Sequence, residues 1–288
     1  MKILQAALAA LLFAGSAGVA QAQQAAPISA DQIAAILASS DRTAADKTND
    51  LRRKPQEMLG FIAIRLGIVA FDLSSAGGYT TELLARSIGP SGTVYGQGQM
   101  RDPNRAGPAA PEGNSRPDLA AAPAPAAPPA AASAPRPFPA ALNDRSERMA
   151  KAGVAFAPIT GVVRPFADPF PPELAAGKVD LVTLMFNYHD LGHMGIDRAA
   201  MNKAVFAALK SGGEYVIADH AGRPGTGISE AGTLHRIEEA FLRQEVEAAG
   251  FKLAAEGNFL RNPNDPRDKN TPNPPQPKDE FVLKFVKP

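Results

Sequence analysis

The segment Val69 to Gly96, VAFDLSSAGGYTTELLARSIGPSGTVYG, does most to limit what this chain can fold into. An apolar run closed by an acid, Ile68–Asp72, predicts a buried strand. The small residues Ser74, Ser75, Ala76, Gly77 and Gly78 follow. A helix-period segment then sets Leu83 and Leu84 on its apolar face and stops at Gly89-Pro90. A second short strand begins at Thr93 and runs to Gly96. Strand, small-residue turn, helix and strand make a βαβ unit, whose first turn lets the backbone approach a ligand closely.

The same alternation continues along the chain. Helix-like patterns at Ile28–Ser39, with Ser29 as N-cap, and from Pro55 precede the first strand, separated by the charged stretch Asp41–Lys54. Strands are predicted at Ile159–Val163, Val179–Asn187 and Glu214–Ala218, and helices at Leu142–Ala152, Asp197–Leu209 and Leu234–Ala249. Phe251–Glu256 and Phe281–Val286 form a closing antiparallel pair joined by the Asn/Pro-rich loop Arg261–Lys278. Alternating strands and helices with short links give a mostly parallel sheet covered on both faces. Between about residues 102 and 139 the composition collapses to Ala, Pro and Gly. Such a stretch buries too little apolar surface to offset its ordering entropy, and is predicted as a disordered insertion within one domain, 23–288.

Residues 1–22 have the order of a secretory signal: Lys2, the apolar run Ile3–Val19, and Ala20-Gln21-Ala22 as an A-x-A cleavage site. A mature chain starting at Gln23, periplasmic or secreted, is expected, with no stable membrane insertion after cleavage. Removing the leader takes Lys2 with it and leaves basic and acidic residues equal in number. Such a body has no field to draw in a polyanion, so no nucleic-acid partner is expected. The absence of cysteine excludes disulfides, thiolate metal sites and a thiol nucleophile.

From about Pro55 to Lys287, apart from the insertion, the chain resembles the class I S-adenosylmethionine-dependent methyltransferases, most nearly a group of exported bacterial ones. Asp72, Ser74, Ala76 and Gly78 fall on the four positions of that family's acid-x-Gly-x-Gly-x-Gly motif. Val179-Asp180-Leu181-Val182 is similar to its entry into the fourth strand. Leu209-Lys210-Ser211-Gly212-Gly213 is similar to the LKPGG turn before its fifth. The resemblance implies a Rossmann-like, mostly parallel seven-stranded sheet with helices on both faces and a final antiparallel strand. It also implies S-adenosylmethionine as cofactor, with methyl transfer to a small molecule.

The resemblance places cofactor contacts on Asp72, Ser74, Ala76, Gly77 and Gly78, on Gln97 where the family usually carries a ribose-binding acid, and on Asp168 and Asn187. Asp72 either holds the turn or meets the methionyl end of the cofactor. Ser74 and Ala76 carry a Cβ where the family has glycine, so either the turn is reshaped or the ligand sits farther away. Asn187-Tyr188-His189-Asp190 ends the fourth strand where substrate meets cofactor, giving Tyr188, His189, Asp190 and His220 as candidate catalytic groups. His189 is the candidate general base, because imidazole titrates near neutral pH. HDLGH, His189–His193, mimics a zinc-protease motif, but a strand end and Gly192 should keep the two histidines off one helical face. No metal is expected; the donors for one would be His189, Asp219, His220 and His235. Two other readings remain: an exported, non-catalytic binding protein on the same fold, and a metal-dependent enzyme using the histidines.

Overall fold

The computed structural model describes residues 25–99, 138–270, 272 and 276–288. The leader and nearly all of the Ala/Pro-rich segment lie outside the described residues. Three helices come first: α1 (Ala30–Ala38), α2 (Ala44–Arg53) and α3 (Pro55–Ile62). Ser29 caps α1 in a reciprocal box with Gln32, as its sequence predicts. The charged stretch after it forms a helix that its sequence pattern does not announce, α2, capped by Thr43.

The sheet follows as β1 (Val69–Leu73), β2 (Thr93–Gly98), β3 (Ile159–Val163), β4 (Val179–Met185), β5 (Leu209–His220), β6 (Lys252–Gly257) and β7 (Glu280–Val286). Its order is β3-β2-β1-β4-β5-β7-β6, and only β7 runs against its neighbours. Helices α4 (Tyr79–Ile88), α5 (Ala140–Lys151), α6 (Tyr188–His193), α7 (Arg198–Ala208) and α8 (Glu239–Ala248) make the crossovers and flanking layers. This is the seven-stranded, mostly parallel Rossmann-like architecture expected.

Alternation along each strand divides the core. Phe71, Leu73, Val182, Leu184, Tyr215 and Ile217 face one apolar layer with Met201, Val205, Leu242 and Val246. Ala70, Leu181, Val216 and Ala218 face the other, with Ile33, Leu59, Ile62 and Leu84. No described helix is long and apolar enough to cross a membrane.

Three local expectations are corrected. LKSGG is not a free turn: it is the first part of β5, with Gly212 left-handed and an irregular register opposite β4. The fourth strand stops at Met185, and Tyr188–His193 is a short helix. The last long helix begins at Glu239, so His235 stands before it in left-handed backbone at φ 50°.

Candidate functional site at the strand ends

In an open parallel sheet the ligand crevice lies beyond the carboxyl ends of the strands, at the point where strand order reverses. Here that point is β1/β4, and the turn after β1 runs into the amino end of α4. Ser74, Ala76 and Gly78 have φ of 57°, 45° and 77°. The turn keeps a glycine-type backbone although two of the three residues carry a Cβ, so it is not reshaped at these positions. Ala76 and Gly77 are exposed, and a Cβ at Gly77 would meet nothing within 4 Å. At Gly78 a Cβ would strike Leu142 at 2.5 Å and Arg145 at 2.9 Å. Gly78 is therefore fixed by packing against α5, while Gly77 borders open space.

Asp72 is almost fully buried, in register with Gly96 on β2 and Thr183 on β4. Thr81 donates to it at 2.6 Å and Thr183 at 2.8 Å. Burial pushes its carboxyl up to about 6, against the pull of those two hydroxyls and of Arg53. It ties the first turn of α4 to the sheet. Gln97 likewise faces inward: its Oε1 accepts from the Ser74 amide at 3.0 Å and its Nε2 donates to the Arg164 carbonyl at 2.7 Å. The amide expected at the ribose instead braces the turn. The space above the carboxyl end of β2 is taken by the chain itself, since a Cβ at Gly98 would meet the Phe138 ring at 2.7 Å. Asp168 is exposed in the loop after β3, paired with Arg164.

The second half of the site is built on the ends of β4 and β5. Asp219 is fully buried and accepts three N–H groups: the backbone amides of His189 and His220, each at 2.8 Å, and His189 Nδ1 at 2.6 Å. It thereby caps the first turn of α6 and aims the His189 ring. His189 Nε2 then lies 3.2 Å from Asp190 Oδ1, and His235 Nδ1 lies 3.2 Å from the same oxygen. Asn187 donates to the other Asp190 oxygen at 2.6 Å, and Ser74 hydrogen-bonds Asn187. A polar chain thus runs from the turn after β1 through Asn187 and Asp190 to His235.

This geometry corrects the expected roles of several groups. Burial opposes charge on His189, but Asp219 and Asp190 outweigh it and push the imidazole up to about 10. Held between two carboxylates, it is not the free base that its sequence context suggests. Burial also opposes ionisation of Asp190, yet His189 and His235 hold its carboxyl below the ordinary range. Tyr188 leaves the rim: its hydroxyl is buried between Asn202 at 2.8 Å and Glu245 at 2.9 Å. His220 is buried under Phe186, with Nδ1 2.9 Å from Glu280, its antiparallel register partner. Burial, with the nearby charges of Lys278 and His189, pushes it well below the usual imidazole range. HDLGH does lie on a helix, against expectation, but His193 is exposed and stands apart from the His189 cluster.

Two residues at the site went unnoticed in the sequence. The guanidinium of Arg53 lies 4.9 Å over the Phe186 ring and 5.2 Å over the Tyr79 ring, beside the amino end of α4. Its Nε is buried without a hydrogen-bond partner among the described residues. Burial and neighbouring Arg52 push it down to about 10. The adjacent cavity, about 30 Å³ and lined by Arg53, Tyr79, Thr80, Met185 and Phe186, is large enough for a water only. Arg145 on α5 donates to the Gly77 carbonyl at 2.5 Å while also pairing with Asp46 and Glu82. The signal for Arg53 was an arginine pair just before a helix-opening proline. Arg145 had none, since its partners are distant in sequence.

No protein-family model matches this sequence, and no curated protein matches it. Solved structures do match. A SAM-dependent methyltransferase from Aquifex aeolicus aligns over 90% of this chain and 98% of its own, at 13% identity and TM-score 0.50. A chain from the complex of the Haloferax volcanii Trm112 methyltransferase activator with the protein described as the methyltransferase aligns over 90% and 96%, at 15% identity and TM-score 0.51. At these identities the likeness is one of architecture: the chain has the Rossmann-like fold of the SAM-dependent methyltransferases.

Proposed function

We propose that this protein binds S-adenosylmethionine at the turn after β1 and transfers its methyl group to a small molecule outside the cytosol. The observation that carries the reading is the turn itself. Left-handed backbone at Ser74, Ala76 and Gly78 shapes it, and an exposed, unobstructed Gly77 borders open space at the amino end of a ten-residue helix. Keeping that backbone with serine and alanine costs roughly 1–2 kcal/mol per residue, a strain most readily retained where the shape is used.

Bound there, the cofactor supplies an electrophilic methyl group on a sulfonium. Arg53, beside the amino end of α4, adds positive charge to this end of the crevice. The backbone at Ala76 and Gly77 allows close approach. Gln97 and Asp72 act behind the turn, holding it. Asp190 and His235, both partly exposed, are the polar groups available to an acceptor molecule. Methyl transfer of this kind relies mainly on positioning, and the braced turn and capped α6 provide a rigid frame for it. The balance of charge in the mature chain favours a small acceptor over a polyanion.

Calorimetry with S-adenosylmethionine and its demethylated product on the mature chain tests this reading. Binding at millimolar or tighter affinity is expected. Gly77→Val should abolish it and leave the melting temperature within a few degrees, because a side chain there enters open space. Gly78→Val is the wrong probe: it strikes Leu142 and Arg145 and strains a φ of 77°, so its effect is on stability. Absence of heat and of thermal shift at millimolar cofactor would leave an exported binding protein on this fold.

A further inference from the structure

We infer that His189 Nε2, Asp190 Oδ1 and His235 Nδ1 form a site for one divalent transition-metal ion, with Asp219 and Asn187 as its supporting shell. The three donor atoms lie within 4.8 Å of one another. Asp190 Oδ1 is 3.2 Å from each imidazole nitrogen. Neighbouring ligands bound at about 2.0–2.1 Å stand roughly 2.8–3.0 Å apart on an octahedral ion and roughly 3.3–3.4 Å apart on a tetrahedral one, so both separations fall in the range of a coordination-polyhedron edge.

The surroundings are those a metal site requires. Asp219 accepts from His189 Nδ1 at 2.6 Å, which fixes the tautomer and leaves Nε2 as the donor toward the cluster. That Nε2 is buried with the Asp190 carboxylate 3.2 Å away, and an ion held between them would take the place of a shared proton. Asn187 holds the second oxygen of Asp190 at 2.6 Å, so the first is turned to the imidazoles. His235 is kept at φ 50°, an angle uncommon for a residue with a Cβ, and this brings its ring to 5.6 Å from that of His189, edge to face. His220 and Asp219, grouped with these histidines on sequence grounds, are not donors. One is paired with Glu280, and the other is spent on three N–H groups.

Two imidazoles and one carboxylate suit Zn²⁺, Fe²⁺, Co²⁺ or Mn²⁺ and not the oxygen-seeking Mg²⁺ or Ca²⁺. Three protein ligands leave coordination positions open to water or to an oxygen donor on a substrate, the arrangement of a reactive site and not of a structural one. The inference does not rest on methyl transfer, and cofactor binding by the metal-free chain is measured separately.

The test uses the chelator-stripped mature chain, titrated with Zn²⁺ by calorimetry and with Co²⁺ by visible absorption. One equivalent at micromolar or tighter Kd, with Co²⁺ bands of a low-symmetry site, is expected; Mg²⁺ should bind at least 100-fold more weakly. His235→Ala and Asp190→Asn, both at partly exposed positions, should each weaken Zn²⁺ at least 100-fold with the fold intact by circular dichroism. Asp219→Asn, which acts through His189, should weaken it about 10–100-fold and shift the Co²⁺ spectrum. Stoichiometric Zn²⁺ binding that survives both His235→Ala and Asp190→Asn would overturn the assignment. So would absence of binding at millimolar Zn²⁺, or equal affinity for Mg²⁺.

Discussion

Asp72 shows how a single residue can trade stability for a fixed turn. Its carboxyl is enclosed by β1, β4 and α4, and burial raises it from 3.8 to about 6. Between those values the native state binds more protons than the unfolded chain, so stability falls as pH rises through the window. The deficit at neutral pH is on the order of 3 kcal/mol. Asp72→Asn removes it, and the variant should gain roughly 2 kcal/mol on the wild type between about pH 4.5 and 7. Urea unfolding at the two pH values measures this, and a gap that stays constant would refute the raised value. Asp72 was visible in the sequence as the acid ending an apolar run. That its partners are Thr81 and Thr183 was not, because they come from a helix and a strand that meet it only in the folded sheet. Gln97 misled for the same reason. Nothing local says that its amide turns inward to Ser74 and Arg164.

At the scale of elements, α2, α4 and α5 are joined by buried charge. Glu82 accepts from Arg86 at 2.9 Å, from Arg145 at 2.5 Å and from Arg148. Arg145 reaches on to Asp46 of α2, with two contacts of 2.9 Å. Glu82 is 1% exposed, so its removal leaves buried guanidinium groups without compensation. Glu82→Ala should cost about 3–5 kcal/mol, read by chemical denaturation. A cost below about 1 kcal/mol would mean that the arginines find water or other partners. The variant should also weaken any ligand of the turn, because Arg145 bonds the Gly77 carbonyl. This network explains why α2 was missed. AADKTNDLRR has no apolar stripe, and its helix is secured by partners such as Arg42, which grips Asp50 at 2.6 and 2.8 Å. The strands were legible because their apolar runs and alternation are intrinsic. Helix α6 was not, being six residues long and capped from β5 by Asp219.

At the scale of the whole molecule, the order of Lys2, apolar run and Ala20-Gln21-Ala22 carries the proposal of export. Mass spectrometry of the periplasmic fraction should find a chain beginning at Gln23. An intact Met1 in the cytosolic fraction would overturn it. The path of the sheet bears on how such a chain matures. β7 is made after every other strand, yet it lies inside the sheet, pairing with β5 on one side and β6 on the other. Until Val286 has left the ribosome, β5 has an open edge and β6 has no place in the sheet. At about 5–20 residues per second, the interval between the completion of β5 and that of β7 is roughly 3–13 seconds. During that time the strand that joins β5 to β6 is missing, and pairing across such a sequence distance is slow in any case. If the chain is exported as proposed, such a delay favours threading over premature folding, since the step that closes the sheet waits for β7.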